Sequence, residues 1–426
     1  MPIEWRQEGR QLHLYNDRIS YLMRVLESGT LAHLYFGPRL AIEQDYGHFL
    51  RTSLISKFNQ VLDPIPLELP TPGRGDFRVP MLTVRHADGS TVLDLTYREH
   101  EIRPGKPHLD GLPSTYVDSE AEAETVEVCL VDGNSSMRVR LITTIYADRP
   151  VVTRSMRVIN EGPSDVKLTT AMSAVLDLPD PDWHLLQLTG NWARETHVTD
   201  APLVAGTRAV RSQRGSTGHQ QNPFILLRRP STNEAAGEAI GLSLVYSGNV
   251  LAEVELDPTD TVRARIGMDP ETIRWQVAAG MDLQIPEAVL AWSDEGIGGL
   301  SDTYHRLYRE RLASGYWRDK PRPVLLNSWE GVYYDFDEDT LVEMATAAAD
   351  LGAELFVLDD GWFGQRDADD SSLGDWTTDL RKLPSGLPDL VERINALGLE
   401  FGIWIEPEMV NPRSRLFDNH PDWAVG

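Results

Sequence analysis

The residues best suited to chemistry are Asp359 and Asp360, which end the apolar run Leu355 to Leu358 and precede Gly361, Trp362 and Phe363. Carboxylates accept hydrogen bonds from hydroxyl groups, and an indole ring offers a flat apolar face. At a strand end opening into the Gly/Asp/Ser-rich stretch Gly364 to Gly374, these groups are the chemistry of a polyol site. The alternative is a strand end followed by a solvated acidic loop. Neighbouring side chains of a regular strand point to opposite faces, so both carboxylates meet one ligand only where the backbone twists. Gly361 permits that departure. Two buried, unpaired carboxylates would raise each other's pKa, and hydroxyl donors from a neutral ligand would relieve that cost. Binding therefore fits the pair better than nucleophilic catalysis.

Trp404, Glu406 and Glu408 stand at i, i+2 and i+4, so in an extended strand end they share one face. From the residues alone, Glu406 and Glu408 could be a general-acid and base pair. They could equally anchor a loop or bind a ligand without reacting. Trp329 and Glu330 follow another apolar run, Val324 to Asn327. Asp367, Asp369 and Asp370 resemble part of a calcium loop but lack its Gly and terminal Glu at the required spacings, so no metal is assigned. His219, His305 and His420 have no second histidine at ligand spacing and read as structural.

The elements that must position these groups fall into two regimes. Up to about Trp292 the pattern alternates with period two between recurrent turns, as in Val126 to Val131 and Met137 to Tyr146 around Asp132-Gly133-Asn134. Many short alternating strands predict a large two-sheet sandwich over 1–292. A helical linker over 293–321 follows, with Tyr304, Leu307, Tyr308 and Leu312 on one stripe. Over 322–426 the rhythm becomes strand, helix, strand, helix, strand, which predicts βαβ units in a parallel sheet. Polar and aromatic residues recur just past each strand, as on the active face of a (β/α)8 barrel. Such a barrel needs roughly 250 residues, and only its first part is accommodated here. The predicted class is multidomain β plus α/β.

Bulk properties narrow the partners. A net charge of −25 repels polyanions, so neither nucleic acid nor an anionic membrane is expected. Cys129 is the single cysteine, which rules out an intrachain disulfide. No signal-peptide pattern and no membrane-length apolar run is present, and a cytoplasmic location is expected.

Several longer segments are recognisable. Asn327 to Gly331 (NSWEG), Leu358 to Trp376, Lys382 to Leu387 (KLPSGL), Phe401 to Val410 (FGIWIEPEMV) and His420 to Trp423 (HPDW) resemble the bacterial α-galactosidases of glycoside hydrolase family 36. In the sandwich region, Gly190 to Glu195, Asn222 to Leu227 and Leu244 to Asn249 resemble that family too. The resemblance implies an N-terminal β-supersandwich followed by a catalytic (β/α)8 TIM barrel, of which this chain holds the first three βα units. It also implies retaining hydrolysis of terminal α-galactosides such as melibiose, raffinose and stachyose, without cofactor, usually in tetramers. On it, Asp359 and Asp360 hold galactose hydroxyls, Trp404 and Trp329 line the pocket, and Glu406 and Glu408 only shape it. The family's nucleophile sits in a Lys-Trp-Asp pattern that these 426 residues lack. Nucleophile and acid/base are thus expected after Gly426, no catalytic residue is assigned, and the chain alone is expected to be inactive. Asp76 and Arg78 are candidate contacts to a neighbouring subunit's site, with a sandwich turn closed by a local ion pair as the equal alternative. A non-catalytic galactoside-binding or assembly module, or a galactosyl transferase of raffinose-synthase type, are the competing functions.

Overall fold

A computed structural model describes residues 2–43, 45–51 and 65–424; Gly426, after which the catalytic pair is expected, lies outside them. The chain divides into two compact units, Met1–Ser314 and Gly315–Gly426.

The first unit is built from antiparallel sheets. Among the described residues they comprise a four-stranded sheet from Ile3–Arg6 to Leu31–Pro38, a six-stranded sheet and a ten-stranded sheet. The predicted hairpin is Ala123–Asp132 paired with Met137–Tyr146, in register from Asp132↔Met137 outward. Inward-facing side chains from all three sheets, among them Leu14, Tyr21, Val139, Met156, Leu176 and Ile266, merge in one core. Each such side chain contributes about 1.5–3 kcal/mol by leaving water, so alternation alone suffices to fix which face of each strand turns inward.

The helix read as a linker is Gly296–Arg311, and it packs on the ten-stranded sheet. Leu300, Tyr304 and Leu307 pack against Ala239, Val289 and Ala291. Tyr304 Oη donates to the Val289 carbonyl at 2.9 Å and Tyr308 Oη to Ser243 Oγ at 2.6 Å. The helical stripe thus belongs to the first unit.

In the second unit three strands form a parallel sheet in chain order: Leu325–Asn327, Leu355–Leu358 and Glu400–Ile403. Leu355 pairs with Leu325 on one side and Glu400 on the other. A single helical turn, Trp329–Val332, and two longer helices make the connections. Glu338–Asp350 starts where the Asp337 carboxylate accepts the Thr340 amide at 2.9 Å, a side-chain N-cap. Leu387–Asn395 starts with Pro388 in its first turn, which loses no helical hydrogen bond there. Phe356, Leu358, Leu341, Ala345, Leu390 and Ile394 close the core between sheet and helices. Because the crossovers are helical, all three strands end on the same edge. That edge carries the residues singled out in the sequence.

Candidate functional site

The three strand ends are tied directly to one another. Asn327 Nδ2 donates to Asp359 Oδ2 at 2.5 Å, and the Asp359 amide donates to Ser328 Oγ at 3.1 Å. On the other side the Trp404 amide donates to the Leu358 carbonyl, and Trp362 Nε1 to the Trp404 carbonyl, each at 2.9 Å. Trp329 meets Tyr334 edge-on at 5.1 Å between ring centres, and Tyr334 Oη lies 3.3 Å from Asp360 Oδ2. Trp404 joins Trp376 and Phe363 in an aromatic group, at 6.2 and 6.5 Å. Trp329, Asp359, Asp360 and Trp404 therefore stand along one connected edge.

The backbone departure foreseen at Gly361 is present. Its φ is +102°, and a Cβ would come within 3.1 Å of the Tyr334 ring and 3.2 Å of the Phe336 ring. Only glycine fits that combination of conformation and contact.

Charge compensation differs from the expectation. The two carboxylates do not wait for a ligand to relieve their repulsion; the protein supplies donors itself. Asp360 is buried, with Arg366 Nη2 at 2.8 Å from Oδ2 and Nε at 2.9 Å from Oδ1. Burial works against the Arg366 charge, but the hydrogen bonds and attraction of Asp360 outweigh it and hold that guanidinium above its ordinary pKa. Asp359 is only half-buried and accepts from Asn327 and from the Asp360 amide at 2.8 Å. Of the two, Asp359 is the more open acceptor.

Glu406 and Glu408 follow the third strand, Glu406 half-buried and Glu408 exposed. Burial, then the neighbouring charges of Glu408 and Asp360, push the Glu406 carboxyl above its usual range. That coupling places Glu406 within the electrostatic reach of Asp360. The aspartates of the calcium-like stretch are each taken up by the chain: Asp367 by Arg381 and Lys382, Asp370 by Arg413, and Asp369 by the Tyr334 hydroxyl.

Asp76 and Arg78 lie in the first unit, within its interior. Arg78 Nε donates to Asp76 Oδ1 at 2.9 Å, and Arg263 bridges Asp76 at 2.9 Å and Asp177 at 2.8 Å. Their side chains are 1% and 3% exposed, so the local ion pair, extended into a network, describes them, and neither charge is offered outward. The physical reason is that a charge this deep is tolerated only when paired at close range. Phe77, between them, is 81% exposed.

The sequence reading missed Tyr334, Arg366 and Lys382. Lys382 Nζ donates to the carbonyls of Tyr334, Gly361 and Arg366 at 2.8, 3.0 and 2.9 Å, which pins the loop after the second strand. Three cations among the acids of Leu358 to Lys382, Arg366, Arg381 and Lys382, are the signal that could have found the two of them.

With this geometry in place, the comparisons with known proteins are decisive. Residues 29–278 match the glycosyl hydrolase family 36 N-terminal domain, and residues 282–426 match melibiase. The chain belongs to glycosyl hydrolase family 36. It is 45% identical over 432 residues to alpha-galactosidase AgaA of Geobacillus stearothermophilus, covering 100% of this chain and 59% of that protein. It is 39% identical to alpha-galactosidase Mel36A of Lactobacillus acidophilus, covering 99% of this chain and 59% of that one. The crystal structure of family 36 alpha-galactosidase AgaB from Geobacillus stearothermophilus superposes with a TM-score of 0.95 at 45% identity, over 100% of this chain and 59% of that one. A variant of AgaA in complex with raffinose superposes at 0.94 and 46% identity, over 97% and 59%. The family 36 chain thus spans about three-fifths of the length of these relatives. Its sandwich and partial barrel are those of the family. No helix among its described residues is long and apolar enough to cross a membrane.

Proposed function

We propose that this family 36 chain contributes the sandwich and the sugar-recognising part of a site that, in the whole protein, hydrolyses terminal α-galactosides. The observation that carries the reading is the connected edge of Trp329, Asp359, Asp360 and Trp404, where acceptors for sugar hydroxyls adjoin flat aromatic surface. In this reading Asp359 and Asp360 accept hydroxyls remote from the reacting carbon, and Trp329 and Trp404 line the pocket. Relatives support the substrate class, since AgaA variants have been crystallised with raffinose and with stachyose.

The reaction proceeds with retention, through a nucleophile and an acid/base about 5–5.5 Å apart. On the family resemblance both are carboxylates outside these residues, and Glu406 and Glu408 only shape the pocket. The whole protein works in the cytoplasm as a tetramer; the single, buried Cys129 suits a reducing compartment. Asp76 and Arg78 act on a neighbouring subunit only through the turn they brace.

Assay of the full-length gene product and of these 426 residues on an aryl α-galactoside tests this. Turnover only by the longer protein is expected. Robust turnover by residues 1–426 would overturn the placement of the nucleophile, and tight galactose binding with no turnover by either would favour a binding module.

A further inference from the structure

Asp360 is gripped by a side chain that no strand-end pattern singles out. Arg366 is 4% exposed. Its Nε lies 2.9 Å from Asp360 Oδ1 and 3.1 Å from Oδ2, and its Nη2 lies 2.8 Å from Oδ2. Its Nη1 turns to the loop instead, donating to the carbonyls of Asp369 at 2.7 Å and Ser371 at 2.8 Å. One planar guanidinium therefore joins the strand end to the loop that leaves it. Tyr334, whose ring lies 5.6 Å from that guanidinium, has its hydroxyl oxygen 3.3 Å from the same Oδ2 and donates its proton to Asp369.

Counting acceptor directions separates the two oxygens. A carboxylate oxygen offers about two lone-pair sites. Nη2 fills one direction of Oδ2, and the Nε–H, at 2.9 and 3.1 Å, lies nearer Oδ1, which meets no other donor among the described residues. An acceptor direction therefore remains on Oδ1.

We propose that Arg366 is a positioning residue for sugar recognition: its fork fixes the Asp360 carboxylate so that the remaining lone pair of Oδ1 receives one galactose hydroxyl. This rests on the reading of Asp360 as a sugar-binding group. Arg366 itself touches no substrate. A lysine could supply the charge but not the fork, since an ammonium is a point charge without fixed donor geometry.

The test uses the full-length protein, an aryl α-galactoside and its monodeoxy analogues. Arg366→Met should lower kcat/KM on the parent substrate by roughly 10- to 100-fold, the worth of a hydrogen bond to a charged group. On the one analogue lacking the hydroxyl that Oδ1 receives, Arg366→Met and the unaltered protein should turn over within about twofold of each other, because there is no bond left to lose. Arg366→Lys should show the same substrate pattern at smaller amplitude, and it carries the test where the methionine variant does not fold. An equal loss on every analogue, or no loss on any, overturns the positioning role. Asp360→Asn is measured alongside. If it leaves the parent kcat/KM unchanged, the reading of Asp360 as a sugar ligand has failed; if it lowers kcat/KM while Arg366→Met does not, the positioning role alone has failed.

Discussion

Two arginine–aspartate assemblies, one in each unit, use the same groups to opposite ends. In the sandwich, Arg263 and Arg78 are matched to Asp76 and Asp177 with every member at most 3% exposed. Burial, the largest influence on Asp177, pushes its carboxyl up, yet the attraction and hydrogen bonds of Arg263 outweigh it, so the group ends below its ordinary range. At the strand ends of the second unit, Arg366 grips Asp360 as tightly, but the neighbouring carboxylates stay partly open. Asp359 is half-buried, and burial together with the charges of Glu408 and Asp360 pushes Glu406 up against the smaller opposing pull of Arg366. The first assembly is closed by pairing of opposite charges, with Arg78 Nη1 at 3.4 Å from Asp177 but without a hydrogen bond of its own among the described residues. The second is braced on one side by Arg366 and open on the other, at the half-buried Asp359 and Glu406.

The largest effect should come from breaking the closed assembly. Arg263→Met leaves Asp177 and Asp76 buried with too few partners and should destabilise the sandwich by about 3–5 kcal/mol, read by denaturant melts. The sign with pH follows from the lowered Asp177 carboxyl. Its contribution is present above the unfolded-state pKa and is lost as pH falls through the folded-state value, so the gap between variant and unaltered protein should narrow in acid. A gap that does not narrow would mean the network is not electrostatic in origin.

At the open assembly, Asp359→Asn should cost binding rather than folding. A loss of roughly 10- to 100-fold in kcat/KM of the full-length protein is expected, with the melting temperature little changed. A comparable loss of stability instead would make Asp359 a second structural knot and erase the comparison.

Gly361→Ala sharpens the same contrast through the backbone. Its φ of +102° and the close Tyr334 and Phe336 rings make any Cβ strained, at a cost on the order of 1–3 kcal/mol. The damage should register at the site, as weaker galactoside turnover, alongside a lower melting temperature of the second unit.

The smallest effect belongs to Glu406→Gln. A carboxyl raised in the folded state destabilises the protein once it ionises, so the variant should melt slightly above the unaltered protein at neutral pH. The difference should grow as pH rises from the unfolded to the folded pKa of Glu406 and vanish below both. A variant that melts lower at neutral pH would show that the pull of Arg366 on Glu406 outweighs burial and the neighbouring carboxylates.

Much of this was legible in the residues. The hairpin around Asp132-Gly133-Asn134 and the strand Leu355–Leu358 follow from alternation and from a bounded apolar run. Asp359, Asp360, Trp329 and Trp404 could be placed at strand ends because parallel βαβ units put every strand's carboxyl end on one edge. What could not be read was the pairing of charges. Local spacing made Asp76 and Arg78 as plausible facing outward as inward, and their partners Asp177 and Arg263 are far away in the chain.

The sequence by itself determined the class of each unit, the family, and which residue types collect past the strands, because periodicity and local motifs are short-range properties. Only the tertiary structure decided which carboxylates are already satisfied. Arg366 closes on Asp360 across a loop, Lys382 gathers three carbonyls from separate segments, and Asn327 reaches Asp359 from a neighbouring strand. Charges interact through space and not along the chain, so the difference between the half-buried Asp359 and the buried Asp360, held by Arg366, arises only on folding.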